Sequence, residues 1–183
     1  MKTIRIILLI LVGFLFLGRV DAQHIYRTQS GEMLITAISA DTVLTLKTKD
    51  LVVLLDYENA KFVMRMDKST FVSGNDDIDS QLELMVLDII EFKGKLDVEN
   101  NINLNEYTPI DFAVEGILSI NNKSISGTGQ LYHIAKQGVF SSLLTLKFNL
   151  NKDELGLDFS HLKLEDDVQI EVVQLVLNNV KDI

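Results

Sequence analysis

The segment from Pro109 to His133 constrains the fold most, because its pattern is that of one long β-hairpin. Apolar and polar residues alternate on both sides of the pair Asn121-Asn122. Asn tolerates the left-handed backbone of a type I′ turn, so we expect a two-residue turn at this pair. That turn would place Phe112 opposite Leu131 and give each arm one apolar and one polar face. Such arms predict a large antiparallel sheet or barrel.

The same alternation recurs through the chain, with links rich in turn-forming residues between the strands. Consecutive strands joined by short links are antiparallel neighbours, so we predict an all-β, up-and-down antiparallel β-barrel with at most one or two short helices. The expected strands are Met33 to Ile38, Val43 to Thr48, Leu51 to Tyr57, Lys61 to Met66, Ile89 to Asp97, the two hairpin arms, Val139 to Leu150 and Val168 to Leu177.

The segment from Asp76 to Leu87 is the exception to this pattern. Its apolar residues mix helical spacing with alternation, and acidic residues gather at its start as a helix N-terminus prefers. It also runs directly into the β-branched pair Ile89-Ile90. A strand or irregular link is therefore favoured here over a helix, although both stay open.

The N-terminus has the pattern of a secretory signal. Lys2 and Arg5 precede an apolar run from Ile6 to Leu17, and small residues precede Gln23. The run is too short for the roughly 20 residues that cross a bilayer. We therefore expect residues 1–22 to be removed and residues 23–183 to form a single soluble domain, periplasmic or secreted, without an integral membrane segment.

The charge of the chain argues against nucleic acid as a partner. The net charge is −9, and it becomes −11 once residues 1–22 take away three positive charges and one negative charge. No three of the remaining Lys and Arg residues are consecutive, whereas binding to a phosphate backbone needs clustered cations. The chain has no Cys, so the domain is expected to be stable without disulfides.

The motifs of catalytic and metal sites are missing from the sequence. His24, His133 and His161 are scattered, and no zinc-type spacing results. Ser141-Ser142 lies in a predicted strand rather than at the strand-to-helix elbow of an esterase. The sequence therefore predicts no catalytic residue, no metal and no cofactor, and we expect a protein that is not an enzyme.

Aromatic and Met residues occupy the inward positions of several predicted strands. They either fill a closed core or surround one elongated apolar ligand, and a barrel with flexible Met residues allows both. Glycines within the strands either bend the sheet or leave room on the inner wall, and bending is the favoured role. In the predicted register Gly116 faces Gly127. The candidate ligand-binding residues are Phe62, Met64, Phe92, Phe112, Phe140 and Phe148.

A family resemblance rests on the hairpin. Tyr107-Thr108-Pro109-Ile110-Asp111-Phe112 and the following Val114 to Lys123 resemble the tyrosine-proline-x-isoleucine-x-phenylalanine stretch and hairpin of the YceI-like family. Thr108 interrupts the family's Tyr-Pro pair, so the chain is identified as a divergent member. The resemblance implies an extended, lipocalin-like barrel around a polyisoprenoid or related lipid, and it makes a homodimer an open option.

Two functions follow from these expectations. The first is an exported binding protein that holds a long-chain apolar or amphiphilic lipid inside the barrel. The alternative is a ligand-free structural or interaction module of the cell envelope with a packed core.

Overall fold

Ten strands form one antiparallel sheet in the computed structural model, which describes residues 24–180 except 29, 40–41, 85–87, 99–101, 104–106, 121, 137–138 and 155–163. One α-helix, α1 (Asp76–Glu83), and two short 3-10 turns, Lys68–Thr70 and Lys152–Glu154, complete the described elements. The strands are β1 (Ile25–Arg27), β2 (Met33–Ser39), β3 (Thr42–Thr48), β4 (Val52–Asp56), β5 (Lys61–Asp67), β6 (Ile89–Asp97), β7 (Ile110–Leu118), β8 (Lys123–Lys136), β9 (Val139–Asn151) and β10 (Leu164–Asn179).

The sheet closes because β1 and β2 lie end to end along one edge of β10. Tyr26 on β1 is opposite Asn179, and Met33 on β2 is opposite Val172, so β1 and β2 pair with β10 in the same register. In the same way, β3 and β4 continue one another along β2 and β1, and Leu55 is opposite Tyr26. The ten strands thus act as eight, in sequence order around the barrel. The predicted up-and-down antiparallel barrel is confirmed.

Strand β1 was absent from the predicted set of strands. Its three residues are too few for a period-two pattern to show. The strand is held by pairing with β4 on one side and the end of β10 on the other, and these partners are distant in sequence. It is therefore tertiary pairing, and not local sequence, that makes this segment a strand.

The register of the β7–β8 hairpin differs from the prediction by two residues. Phe112 is opposite Gly129, whereas Leu131 is opposite Ile110. Four residues, 119–122, separate the two strands, so the predicted two-residue turn is wrong. A Cβ atom built on Gly129 would lie 2.5 Å from Cε2 of Phe112. The Phe112 ring therefore packs directly over Gly129, in space that the side chain of any larger residue would fill.

The faces of the hairpin agree with the prediction despite this shift. Side chains alternate with a period of two, so a shift of two residues returns each side chain to the same face. Phe112 and Leu131 are buried inside the barrel, while Asp111 and Tyr132 are exposed outside it. The predicted pairing of Gly116 with Gly127 is wrong, because Gly116 lies opposite Ile125 on β8 and opposite Gly94 on β6.

Helix α1 corrects the interpretation of the first eight residues of Asp76 to Leu87, a segment for which a strand or irregular link was favoured. Residues 85–87 at the end of that segment lie outside the described residues. The side chain of Asn75 caps the helix by accepting hydrogen bonds from the backbone N–H groups of Asp77 and Ile78, at 3.0 Å and 3.3 Å. Ile78 and Leu82, four residues apart, are both buried in the core. The N-cap and this spacing outweigh the β-propensity of the residues that follow.

The core lies inside the barrel and is continuous from end to end. Buried side chains from every strand, from α1 and from the turns around it form one apolar cluster. Within the described residues, no helix is both long and apolar enough to cross a membrane.

Candidate functional site

The inner wall of the barrel follows from strand parity. Every second residue of β5, β6, β7 and β9 points inward, which gives the buried-exposed alternation along these strands. Five of the six candidate residues lie on this wall and are buried, with exposed fractions from 0% to 6%. They are Phe62, Met64, Phe92, Phe112 and Phe148.

Phe140, the sixth candidate, differs from the other five. Its side chain is 37% exposed, so the expectation that it lines the interior is wrong. Phe140 pairs with Ala135 on β8, whereas β7 pairs with β8 only as far as Leu131. The β8–β9 hairpin therefore extends past the end of β7, and Phe140 lies on this extension rather than inside the barrel.

Three of the buried rings form a continuous aromatic group across the middle of the barrel. The ring centroids of Phe62 and Phe92 are 5.3 Å apart, and those of Phe92 and Phe148 are also 5.3 Å apart. Tilted and edge-on contacts of this kind are the favourable arrangements for aromatic pairs. Met64 pairs with Phe92 across β5 and β6, so a flexible thioether side chain borders the group.

Inward-facing glycines make room for these rings. A Cβ atom on Gly94 would lie 2.8 Å from both Phe62 and Phe92, and one on Gly127 would lie 2.5 Å from Phe148. The sequence analysis favoured bending of the sheet as the role of the strand glycines over leaving room on the inner wall. At Gly94 and Gly127, the missing side chain leaves space on the inner wall that Phe rings fill.

Polar side chains gather at one end of the interior. The hydroxyl groups of Tyr57 and Ser142 share a short hydrogen bond. The ring of Tyr57 lies 4.1 Å from that of Tyr26 and 5.7 Å from that of His133, measured between centroids. Ser142 and His133 are buried, with exposed fractions of 0% and 2%. We call Tyr26, Tyr57, His133 and Ser142 the polar cluster.

Barrel closure brings the polar cluster together. His133 on β8 is directly opposite Ser142 on β9, and both point inward. Tyr57 follows β4 and is anchored by its backbone N–H, which donates to the carbonyl oxygen of His24 at 3.0 Å. Burial raises the pKa of the Tyr57 phenol far above its ordinary value, and the hydrogen bond with Ser142 opposes that shift only in part. The phenol is therefore neutral.

Sequence reasoning missed the polar cluster as a site. Ser142 was considered only as a nucleophile, and His133 only as one of three scattered histidines. A signal was nevertheless present, because His133 is in phase with the inward Leu131 and Ser142 with the inward Leu144. Polar residues at inward positions of otherwise apolar strands indicate a buried polar group with a partner elsewhere in the fold.

Buried positive charge lies at the opposite end of the barrel. Tyr57 precedes β5 and Lys68 follows it, so the two residues lie at opposite ends of that strand. Lys68 is the one buried Lys or Arg among the described side chains, and its Nζ lies 2.6 Å from Oδ2 of Asp88. In the described ranges, no three His, Asp or Glu side chains are grouped so as to hold a metal ion.

Comparison with solved structures finds the same fold in two bacterial proteins. A polyisoprenoid binding domain from Saccharophagus degradans, implicated in plant cell wall breakdown, matches with a TM-score of 0.63 and 11% identity over 86% of this chain and 99% of that one. BcnA from Burkholderia cenocepacia matches with a TM-score of 0.57 and 13% identity over 80% of this chain and 94% of that one. These matches support the resemblance to the YceI-like family at the level of the fold.

Sequence comparisons add little to the structural ones. No family model matches the chain. Among curated proteins, an alanine–tRNA ligase from Flavobacterium psychrophilum is 30% identical over 121 residues, which cover 61% of this chain. The chain spans only 13% of the length of that ligase.

Proposed function

We propose that this chain is an exported binding protein that holds a long-chain apolar or amphiphilic lipid, of polyisoprenoid type, inside its barrel. The observation that carries the proposal is the apolar inner wall, which five Phe and Met side chains line from several strands. The structural match to a polyisoprenoid binding domain, over nearly the whole of that domain, supports the same function. Binding without catalysis is part of this proposal.

An apolar wall is sufficient for binding a lipid tail. Each buried methylene contributes about 0.8 kcal/mol, so ten of them would supply about 8 kcal/mol before the costs of association. Met64, next to the aromatic group, has the adaptable side chain that suits an irregular hydrocarbon. A sharp sequence motif is not needed for such a site.

Export forms the second part of the proposal. Its support is the short apolar run after Lys2 and Arg5, with the expected cut before Gln23. The intact mass of the protein recovered from the periplasm or medium tests this part. A mature protein that begins at Gln23 is expected, and retention of residues 1–22 would contradict export with cleavage.

A specific observation favours the alternative, a ligand-free module with a packed core. The Phe rings lie directly over Gly94, Gly127 and Gly129, which is how side chains fill a core. The two functions differ in what an added large side chain does to the protein.

The experiment introduces Trp at Met64, whose side chain is buried on β5. In a lipid-binding interior, Met64→Trp should reduce uptake of a fluorescent isoprenoid while the delipidated variant stays nearly as stable as the wild type. In a packed core, the same change should destabilise the protein by about 1–3 kcal/mol. Both quantities are measured on delipidated protein, by fluorescence titration and by urea unfolding.

Lys61→Trp is the matched control, because Lys61 lies on the same strand but faces solvent. This variant should retain both uptake and stability. If the wild type takes up no isoprenoid and Met64→Trp loses stability, the lipid-binding proposal is wrong and the packed module remains.

A further inference from the structure

We propose that the outer face of strands β7, β8 and β9 binds a neutral saccharide, in a groove that is separate from the barrel interior. The groove has a volume of about 620 Å³. The inference goes beyond the proposed lipid-binding function and does not depend on it. Six residues that line the groove point outward by strand parity: Asp111, Ala113, Thr128, Gln130, Thr145 and Lys147.

Strand pairing explains the shape of this groove. Its six outward residues form two rows of three across the strands, Asp111–Gln130–Thr145 and Ala113–Thr128–Lys147. The small side chains of Ala113, Thr128 and Thr145 are neighbours in this arrangement. The longer side chains lie around them, so the middle of the patch is a hollow with polar walls.

The walls of the groove carry neutral donors and acceptors in a fixed arrangement. Nε2 of Gln130 donates to Oδ1 of Asp111 at 2.8 Å, so each planar group orients the other. The second oxygen of Asp111, the amide oxygen of Gln130 and its second N–H remain for a ligand. The hydroxyl groups of Thr128 and Thr145, neither of which bonds to another described residue, each donate and accept. Adjacent hydroxyl groups of a sugar ring need this mixture of donors and acceptors.

An apolar row borders the groove on the same face. Tyr132 follows Gln130 by two residues, about 7 Å along β8, and its side chain is 40% exposed. Leu143 lies opposite Tyr132 on β9, and Val176 lies opposite Leu143 on β10. A sugar ring has apolar C–H faces as well as hydroxyl groups. An exposed aromatic ring beside polar walls can therefore contact both parts of the same ligand.

The charges at the groove favour a neutral ligand over an anion. Lys147 is the one cation among the described lining residues, and its Nζ lies 2.9 Å from Oε1 of Glu171. The carboxylate of Asp111 adds a negative charge at the opposite side. Recognition of a phosphate or an acidic sugar uses cations that form charge-assisted hydrogen bonds, and Lys147 already has a carboxylate partner.

The pairing of the strands argues against an extended peptide as the ligand. A peptide that adds to a sheet bonds to the free backbone groups of an edge strand. Along these two rows β8 is paired on both sides, with β7 and with β9. The groove therefore offers side chains and not backbone groups, which suits a ligand recognised through its hydroxyl groups.

An NMR titration of the isotope-labelled protein tests the inference with three probes. Cellohexaose and N-acetylchitohexaose are neutral, and hexagalacturonate is the acidic comparison. At least one neutral probe is expected to bind with a Kd on the order of 0.1–1 mM, as suits an open groove. The shifted backbone amide signals should be those of β8 and β9 around Gln130, Tyr132 and Thr145. The acidic probe should bind at least about 10-fold more weakly, because no unpaired cation lines the described groove.

Three variants locate the site. Gln130→Ala and Tyr132→Ala remove one polar and one aromatic contact, and each should weaken binding of the neutral probe by about 3- to 10-fold. Ala113→Trp fills the hollow from an exposed position and should abolish binding. Ile117→Ala is the matched control, because Ile117 is exposed on β7 outside the groove. It should leave the Kd unchanged.

The possible results decide the inference separately from lipid binding. If neither neutral probe shifts the groove amides at concentrations up to about 10 mM, the saccharide site is wrong. Equal binding of the acidic probe, or of a neutral Gly-Ser peptide of similar size, would also overturn it. Ala113→Trp should still take up a fluorescent isoprenoid as the wild type does, so failure of one function leaves the other standing. Should Ala113→Trp not fold, Gln130→Ala and Tyr132→Ala still decide the location.

Discussion

The contact between Phe112 and Gly129 gives the sharpest test of the observed hairpin register. The Phe112 side chain is 6% exposed, and its ring lies over Gly129 on the neighbouring strand. Phe112→Ala should destabilise the protein by about 3–5 kcal/mol through lost burial and an unfilled cavity. With a urea m-value of about 2 kcal/mol/M, the midpoint should fall by about 1.5–2.5 M.

Gly129→Ala is the second arm of this experiment. The added Cβ would lie 2.5 Å and 2.7 Å from two Phe112 ring atoms and 2.7 Å from the carbonyl oxygen of Thr145. Overpacking of this kind costs about 1–3 kcal/mol. In the Phe112→Ala background the ring contacts are gone, so the double variant should be more stable than the sum of the two single effects by about 1–2 kcal/mol.

Two controls accompany this double-mutant cycle of Phe112→Ala and Gly129→Ala. Gly127 lies on the same strand but beneath Phe148, so Phe112→Ala and Gly127→Ala should be additive. Asp111→Ala removes an exposed side chain that accepts one hydrogen bond from Gln130, and should change stability by at most about 0.5 kcal/mol. Strict additivity of Phe112→Ala with Gly129→Ala, measured by urea unfolding, would refute the observed register.

Two further predictions concern α1 and the turn before it. The pKa of Asp79 is lowered by hydrogen bonds from Ser73. The contribution of the Asp79 carboxylate to stability is therefore complete above the ordinary Asp pKa and is lost as pH falls through the lowered pKa. An NMR titration of Asp79 should show a midpoint below that of an unfolded Asp, and an ordinary midpoint would contradict this. Asp88→Ala removes the carboxylate bonded to the buried Lys68 and should lower the free energy of unfolding in urea by about 1–2 kcal/mol, a modest cost because Asp88 is half exposed. Glu32→Ala, the control, breaks an exposed ion pair with Lys47 and should cost less than about 0.5 kcal/mol. Equal effects of the two substitutions would show that the burial of Lys68 is irrelevant.

Strand parity explains why the sequence predicted the barrel and most of its inner wall. A period of two specifies which face each residue takes, and five of the six candidate Phe and Met residues are accordingly buried. A period of two cannot distinguish two registers that differ by two residues, because each side chain keeps the same face in both. This is why the predicted hairpin register was wrong. Ring packing over Gly129 selects the register, and that contact is made only in the folded barrel.

The features that sequence reasoning missed depend on distant partners or on cap chemistry. β1 is a strand because β4 and β10 pair with it, and its own three residues carry little pattern. The polar cluster joins Tyr57 to Ser142, which are 85 residues apart, once the barrel has closed. Helix α1 depends on Asn75 as its N-cap, a local signal that was outweighed by the β-branched residues downstream.

Solvent extraction tests the central claim, that the barrel interior holds a long-chain lipid, most directly. The wild-type protein and the Met64→Trp variant are purified without detergent, extracted with organic solvent and examined by mass spectrometry. A long-chain isoprenoid or similar lipid should come from the wild type in near-stoichiometric amount and should be depleted in the variant. A folded wild-type protein that releases no lipid, and takes up none when it is offered, would contradict the claim.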